Sequence, residues 1–137
     1  MENIIFSTDK SKLEVSLIID FLHKHSYWAK EVPEETILKS IENSLCIGMY
    51  LDEKMIGFTR LVTDYCRFFY VADVFIIPEL QNKGYGKKLF EYIMDIDFVK
   101  SSRGILTTQT AHKFYEQFGF SRDNDIIKSR IMIRVPD

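Results

Sequence analysis

No apolar run as long as the ~18 residues needed to span a bilayer occurs in this chain, and the opening MENIIFSTDK lacks the charged-then-apolar order of a secretory leader. Both absences point to the cytoplasm. Cysteine is scarce: Cys46 and Cys66 are the two in 137 residues, and neither has a C-x-x-C partner or a histidine at ligand spacing. A disulfide, a metal site and a thiol nucleophile therefore lack support, and both cysteines, set in apolar strand-like segments, are expected as buried thiols. His23 and His25 stand two apart on a predicted helix, face different directions and cannot jointly bind a metal, so they read as a solvated helix end. Net charge is small, a formal −2, which gives no general pull toward nucleic acid or an anionic membrane. Repeats, low-complexity tracts and linkers are absent too.

What is present is ordinary globular material, 46% hydrophobic and 28% charged, with aromatics high at 14%. The length suits one domain over residues 1–137 and is too short for two. Ile4, Ile5 and Phe6 make a short strand, and Ser11-x-x-Glu14 has capping-box spacing ahead of a helix whose stripe is Leu13, Leu17, Ile18, Phe21 and Leu22. Tyr27 and Trp28 follow in a stretch without periodicity, where they either plug the core edge or line a pocket. Pro33-Glu34-Glu35 opens a second helix that buries Ile37, Leu38 and Ile41. From Leu45 the pattern turns to strands: LCIGMYLD, a turn at Asp52-Glu53-Lys54, MIGFTRLVTD, a turn around residues 65–67, then FFYVADVFII, an antiparallel meander.

The stretch 71–94, VADVFIIPELQNKGYGKKLFEYIM, organises the rest. A β-branched and aromatic run reads as a strand buried on both faces, and Pro78 ends it because it offers no N–H to a ladder. Gln81-Asn82-Lys83-Gly84-Tyr85-Gly86-Lys87 then leads into a helix with the stripe Leu89, Phe90, Ile93 and Met94, which fades around residues 98–101. Unpaired N–H groups and the helix dipole at such an N-terminus suit phosphate, and the Lys83, Lys87 and Lys88 cluster adds charge. A Walker loop fails, because Gly86-Lys87 is followed by Lys88 and no glycine stands five residues before Gly86. A dinucleotide fingerprint would need glycine where Leu89 stands. A short strand over 104–108 follows by a crossover, so it is expected to run parallel to its predecessor. A helix over 110–120 places Ala111, Phe114, Tyr115 and Phe118 on one face and stops at Gly119. A last strand spans 129–135 before Pro136.

The form Q/R-x-x-G-x-G/A after a buried strand, followed by Ala111-x-x-Phe114-Tyr115-x-x-x-Gly119-Phe120, resembles the two motifs of the GNAT superfamily of acyl-CoA N-acyltransferases over about residues 44 to 135. The resemblance implies an α/β fold, a single GNAT-like domain whose mixed central sheet combines an antiparallel meander with a parallel crossover. About four helices would flank it, and splayed strands would form the acyl-CoA cleft. It further implies that the backbone of Val74, Phe75 and Ile76 meets the pantetheine of acetyl-CoA like an added strand. The N–H groups of Asn82, Lys83, Gly84, Tyr85, Gly86 and Lys87, after Gln81, would hold its pyrophosphate. An amine would attack the thioester directly, without a metal or a covalent enzyme nucleophile. Tyr115 would be the acid that protonates the leaving thiol. The family's cofactor-holding Asn, seven residues before that Tyr, is Thr108 here, which keeps one hydroxyl contact of the amide's several.

A primary amine with a pKa near ~10.4 is almost wholly protonated at pH 7, a shortfall of roughly 4–5 kcal/mol that a base or a desolvating pocket must offset. Some family members supply a Glu; this chain has none at those places, and Asp73 inside VADVFII is the candidate base, with a structural role equally open and Asp64 weaker. Tyr27, Trp28, Phe69 and Tyr70 are expected as an aromatic wall for the acceptor amine, with core packing as the alternative. A non-catalytic acyl-CoA sensor is the rival reading. Acetyl-CoA and an amine are the expected partners, with nucleic acid and membrane excluded and a homodimer left open.

Overall fold

The computed structural model of the chain describes residues 2–122 and 130–136. Its backbone divides into two compact units, Met1–Leu106 and Thr107–Asp137. The first holds one five-stranded sheet in the order β1 (Ile4–Ser7), β2 (Leu45–Leu51), β3 (Lys54–Thr63), β4 (Phe68–Ile76) and β5 (Arg103–Ile105). Neighbours pair antiparallel from β1 to β4, while β4 and β5 pair parallel. The helices of this unit are α1 (Val15–His25), α2 (Glu34–Glu42), α3 (Tyr85–Met94) and α4 (Asp97–Ser101), and α5 (His112–Glu116) lies in the second unit. The α/β architecture, meander plus one parallel crossover, is the one expected, with five α-helices among the described residues where about four were anticipated.

Local chemistry explains the meander. Asp52 and Glu53 both take positive φ, 49° and 72°, which makes the primed two-residue turn that matches strand twist. At the β3–β4 turn, Asp64 Oδ1 accepts the N–H groups of Cys66, Arg67 and Phe68 at 3.1, 2.8 and 3.1 Å, a side chain standing in for a backbone acceptor. Period-two alternation then sends Leu61, Phe69 and Val71 into the core. Phe21 of α1 stacks on Phe75 of β4 with ring centroids 4.0 Å apart, a contact contributing about 0.5–1.5 kcal/mol beyond area burial. Leu89, Phe90 and Ile93 of α3 are fully buried, whereas Met94 is half-buried.

Several expectations are corrected. Ser11 and Glu14 form no capping box: Asp9 accepts from Ser11 N–H at 3.0 Å and caps a 3-10 turn, while Glu14 Oε2 accepts from Met55 N–H at 2.8 Å. A long-range backbone donor has displaced the local one, so α1 starts at Val15 and Leu13 precedes it. Leu38 is exposed, leaving Ile37 and Ile41 as the buried face of α2. Cys46 is buried, but Cys66 sits exposed in the Asp64 turn. The fading of α3 is a break after Met94 followed by the separate α4. β5 stops at Ile105, and α5 spans only five residues. Of the last expected strand, Ser129 lies outside the described residues, and residues 130–135 form none; a strand needs a hydrogen-bonded neighbour, and the described part of this unit supplies no other strand.

Tyr50 is buried, and its hydroxyl has no hydrogen-bond partner among the described residues. Burial pushes its pKa up. An unmade hydrogen bond at such a group carries a desolvation cost without return. Tyr50→Phe is therefore expected to raise the unfolding free energy by about 1 kcal/mol in urea titration, and a loss of stability would assign the hydroxyl a partner.

Candidate active site

The site grows from β4. Its parallel pairing with β5 covers Phe68↔Arg103, Phe69↔Gly104 and Tyr70↔Ile105 and then stops, while pairing with β3 continues to Ile76. Among the described residues, no strand pairs with the side of β4 away from β3 beyond Tyr70, along Val74, Phe75 and Ile76. The short pairing requires Gly104, since a methyl there would lie 2.1 Å from Phe69 Cζ. β4 also carries a bulge: Phe58 pairs with Phe75 but Arg60 with Ala72, so Thr59 faces two residues, Asp73 and Val74. Asp73 has φ 55°, and Thr59, fully buried, donates its hydroxyl to Ala72 O at 3.1 Å. Satisfying that carbonyl helps hold the irregular backbone.

After β4 comes the basic loop. A 3-10 turn (Pro78–Leu80) leads to Gln81, whose Nε2 donates to Ile76 O at 2.9 Å and ties the loop back to the strand end. Asn82 has φ 63° and Gly84 φ 88°, so the chain reverses hand twice before α3. Gly84 is the N-cap; no side chain caps the helix, and the first intrahelical bond runs from Lys88 N–H to Gly84 O at 3.2 Å. The N–H groups of Tyr85, Gly86 and Lys87 precede that bond, and a Cβ placed on Gly84 would meet nothing within 4 Å, so the space before the helix is open. Lys83, Lys87 and Lys88 are exposed around it.

Tyr85 differs from its neighbours because its ring is buried. Its hydroxyl donates to Glu2 Oε1, an interaction that raises the Tyr85 pKa and keeps the proton on the phenol. Phe6 of β1 stacks on Tyr92 of α3 at 4.5 Å, so the first strand grips this helix at two levels. Only the backbone of Tyr85 is left to serve a ligand.

Asp73 does not stand alone. Its Oδ2 accepts from Arg60 Nε at 2.6 Å and its Oδ1 from Trp28 Nε1 at 2.8 Å. Arg60 Nη1 also donates to Ser44 Oγ at 3.0 Å, and Ser44 Oγ to Ser40 O at 2.7 Å. The ion pair is largely buried, with side-chain exposures of 19% and 10%. Trp28 is 43% exposed, and Tyr27 meets it edge-on at 5.1 Å. Tyr70, 36% exposed, pairs with Val62 on the same face as Arg60 and Ala72. Phe69 does not join these aromatics: alternation turns it to the opposite, core face, at 2% exposure. Asp64 Oδ1 is engaged by three backbone N–H groups, which hold the carboxyl far below the usual carboxylate range.

The second unit is described by itself. Tyr115 is half-buried on α5, edge-on to Phe114 at 5.1 Å and to Phe120 at 6.3 Å. Thr108 Oγ1 accepts from Ala111 N–H at 3.0 Å, so its hydroxyl already helps open α5. Sequence reading missed Glu2, Ser44 and Arg60. Only Arg60 had a signal, as a charge amid the apolar run MIGFTRLV. Among the described residues no group of three or more His, Cys, Asp and Glu is placed to hold a metal, and no helix is long and apolar enough to cross a membrane.

A strand that outruns its parallel neighbour and leads into a glycine-capped, basic helix N-terminus agrees with the class that the comparisons give. The chain belongs to the acetyltransferase (GNAT) domain family, which matches residues 42–122, and is thus an acyl-CoA-dependent N-acetyltransferase. A Xanthomonas campestris pv. campestris protein assigned to the GNAT family superposes with a TM-score of 0.88 at 33% identity, over 98% of this chain and 94% of that one. FG08082 of Gibberella zeae, named as an acetyltransferase, is 26% identical over 84% of this chain and 77% of its own. Glucosamine-6-phosphate N-acetyltransferase of Arabidopsis thaliana shares the fold, with a TM-score of 0.60 at 20% identity over 100% and 99% of the two chains.

The Asp64 turn gives a pH prediction. A carboxyl with a depressed folded-state pKa contributes stability that is full above its unfolded value, about 3.9, and is lost as pH falls toward the folded value. Asp64→Ala is expected to destabilise the protein at pH 7, with the gap to the unsubstituted chain narrowing below about pH 4. Melts at pH 7 and pH 3 compare the two; a gap that stays constant would remove the linkage.

Proposed function

We propose that the chain transfers the acetyl group of acetyl-CoA directly to a primary amine of a small molecule or peptide within a ternary complex. The observation that carries this reading is the outer edge of β4, with which no strand among the described residues pairs beyond Tyr70, followed in the chain by the glycine-capped start of α3. In it, the backbone of Val74, Phe75 and Ile76 takes the pantetheine as an added strand, and the N–H groups of residues 82–87 receive the pyrophosphate. Gln81 braces the loop through Ile76 O. Lys83 and Lys87 supply positive charge, and the Thr108 hydroxyl, still able to donate, adds a contact. Acetyl-CoA brings an activated acyl group with a thiol leaving group, so the protein's work is placement and proton handling.

Tyr115 is assigned as the proton donor to the leaving thiol, whose pKa of about 8.5 makes the demand modest. Tyr27, Trp28 and Tyr70 line the acceptor side and desolvate the incoming amine, lowering its pKa toward the neutral, nucleophilic form. Asp73 is the carboxylate nearest this role. With one oxygen on Arg60 and the other on Trp28, it is assigned to positioning rather than to taking the proton.

Incubation with acetyl-CoA and a panel of amines, read by mass spectrometry, tests the whole: a mass gain of one acetyl group on an amine is expected, and acetyl-CoA consumed with no acylated amine would overturn it. CoA at a hundred times its Kd is expected to stabilise the fold by about 2.7 kcal/mol. Gly84→Val is expected to abolish that shift: a branched residue at φ 88° is strained, and its side chain fills the open space. A retained shift in the folded variant would move the phosphates elsewhere. Tyr115→Phe is expected to keep the CoA shift and lower kcat by about 10²-fold or less, and an unchanged kcat would return Tyr115 to packing.

A further inference from the structure

The polar atoms on the acceptor side of β4 face one another. Trp28 Nε1 donates to Asp73, Arg60 Nε to the other oxygen of the same carboxylate, Arg60 Nη1 to Ser44 Oγ, and Ser44 Oγ to Ser40 O. The cation and the anion are paired at 2.6 Å and largely buried, so neither offers an uncompensated charge to a ligand. What Trp28 leaves exposed is carbon: it keeps 43% of its surface, with its one donor turned inward and Tyr27 set at 84° to the ring. We propose that Trp28 is a specificity-determining residue that presents its indole face to acceptors whose amine is carried on a flat apolar body, an aryl or arylalkyl amine, with Asp73 and Arg60 as the residues that position the ring. This rests on the transfer reading above and names its substrate class.

The physical argument is one of complementarity. A polyamine or a phosphorylated amino sugar needs free carboxylates or cations to replace the water it loses, and the carboxylate and guanidinium here are engaged with each other. A flat apolar body needs only ring surface, and its ammonium form gains from the ring face on approach. Asp73 has a second reason to be rigid. It sits at φ 55° in the β4 bulge, where two side-chain hydrogen bonds from α1-side and β3 partners fix both the backbone and the indole. The Trp28 loop and the strand edge proposed for the pantetheine are thereby held by one carboxylate.

Trp28 is the chain's only tryptophan, so its fluorescence reports on this ring without any acetyl transfer. In the full chain with CoA bound, 2-phenylethylamine is expected to change the emission saturably with a Kd at least about tenfold below that of butylamine, which carries a comparable amine without a ring. With acetyl-CoA, kcat/KM is expected to rank the two amines the same way, through KM rather than kcat. Trp28→Ala is expected to bring the two kcat/KM values together and Trp28→Phe to restore most of the difference, while the CoA melting shift persists in both. Asp73→Asn, which leaves one of the two donors without its acceptor, is expected to shift the emission maximum and shrink the selectivity. Equal titration by both amines, or selectivity that survives Trp28→Ala, overturns the proposal. Equal acetylation of both amines does so while leaving transfer standing; selective quenching with no product overturns transfer and leaves the ring's selectivity standing.

Discussion

Backbone N–H and C=O groups demand partners, and beyond Tyr70 no strand among the described residues meets that demand on one side of β4. Three residues of β5 satisfy its first stretch, and then the neighbour ends while β4 runs on for six more residues, Val71 to Ile76. An exposed strand edge in a small domain is ordinarily covered, charged or shortened, because it templates association. Here the edge stays long and apolar, and the chain turns at its end into a helix N-terminus with the same kind of unmet donors. In the transfer reading proposed above, these two stretches of backbone, in sequence along the chain, would meet a ligand with an amide-bearing arm and an anionic end.

The bulge at Asp73 shows how the same strand is held while being left open. An extra residue disrupts the ladder with β3, and the disruption is repaired by side chains: Thr59 on Ala72 O, Arg60 on the Asp73 carboxylate. Charge burial explains why the repair is a network and not a single contact. A carboxylate this enclosed is costly without a partner, and an arginine beside it without its carboxylate would be equally so. Removing either partner therefore costs more than their pairing contributes, and energies from single substitutions here will not add.

Much of this was legible in the residues. The β-branched run ending at Pro78 and the glycines at 84 and 86 announced a strand, a loop and a helix start, because each residue type there is dictated by local backbone chemistry. The meander was legible for the same reason. What escaped reading depended on partners distant in sequence. Ser11 and Glu14 have the spacing of a cap, yet Glu14 is claimed by Met55, 41 residues away. Phe69 and Tyr70 are equally aromatic, and only the register of β4 decides that one enters the core and the other does not. The bulge is invisible in composition, since Asp73 gives no sign of its positive φ. Cys66 reads as part of an apolar run until Asp64 bends the chain around it.

Among the described strands β1 lies at the sheet margin, paired only with β2. Yet Glu2 and Phe6, in and beside it, reach Tyr85 and Tyr92 of the helix that would receive the phosphates. Margins of sheets fray first, opening locally at a free energy well below that of global unfolding. When β1 lifts away, α3 loses the contact at its first turn, 83 residues distant along the chain, together with the ring stacked near its end. The order of the first turn of α3 is thereby tied to the closing of an outer strand, and amide hydrogens of β1 and of that turn are expected to exchange as one unit.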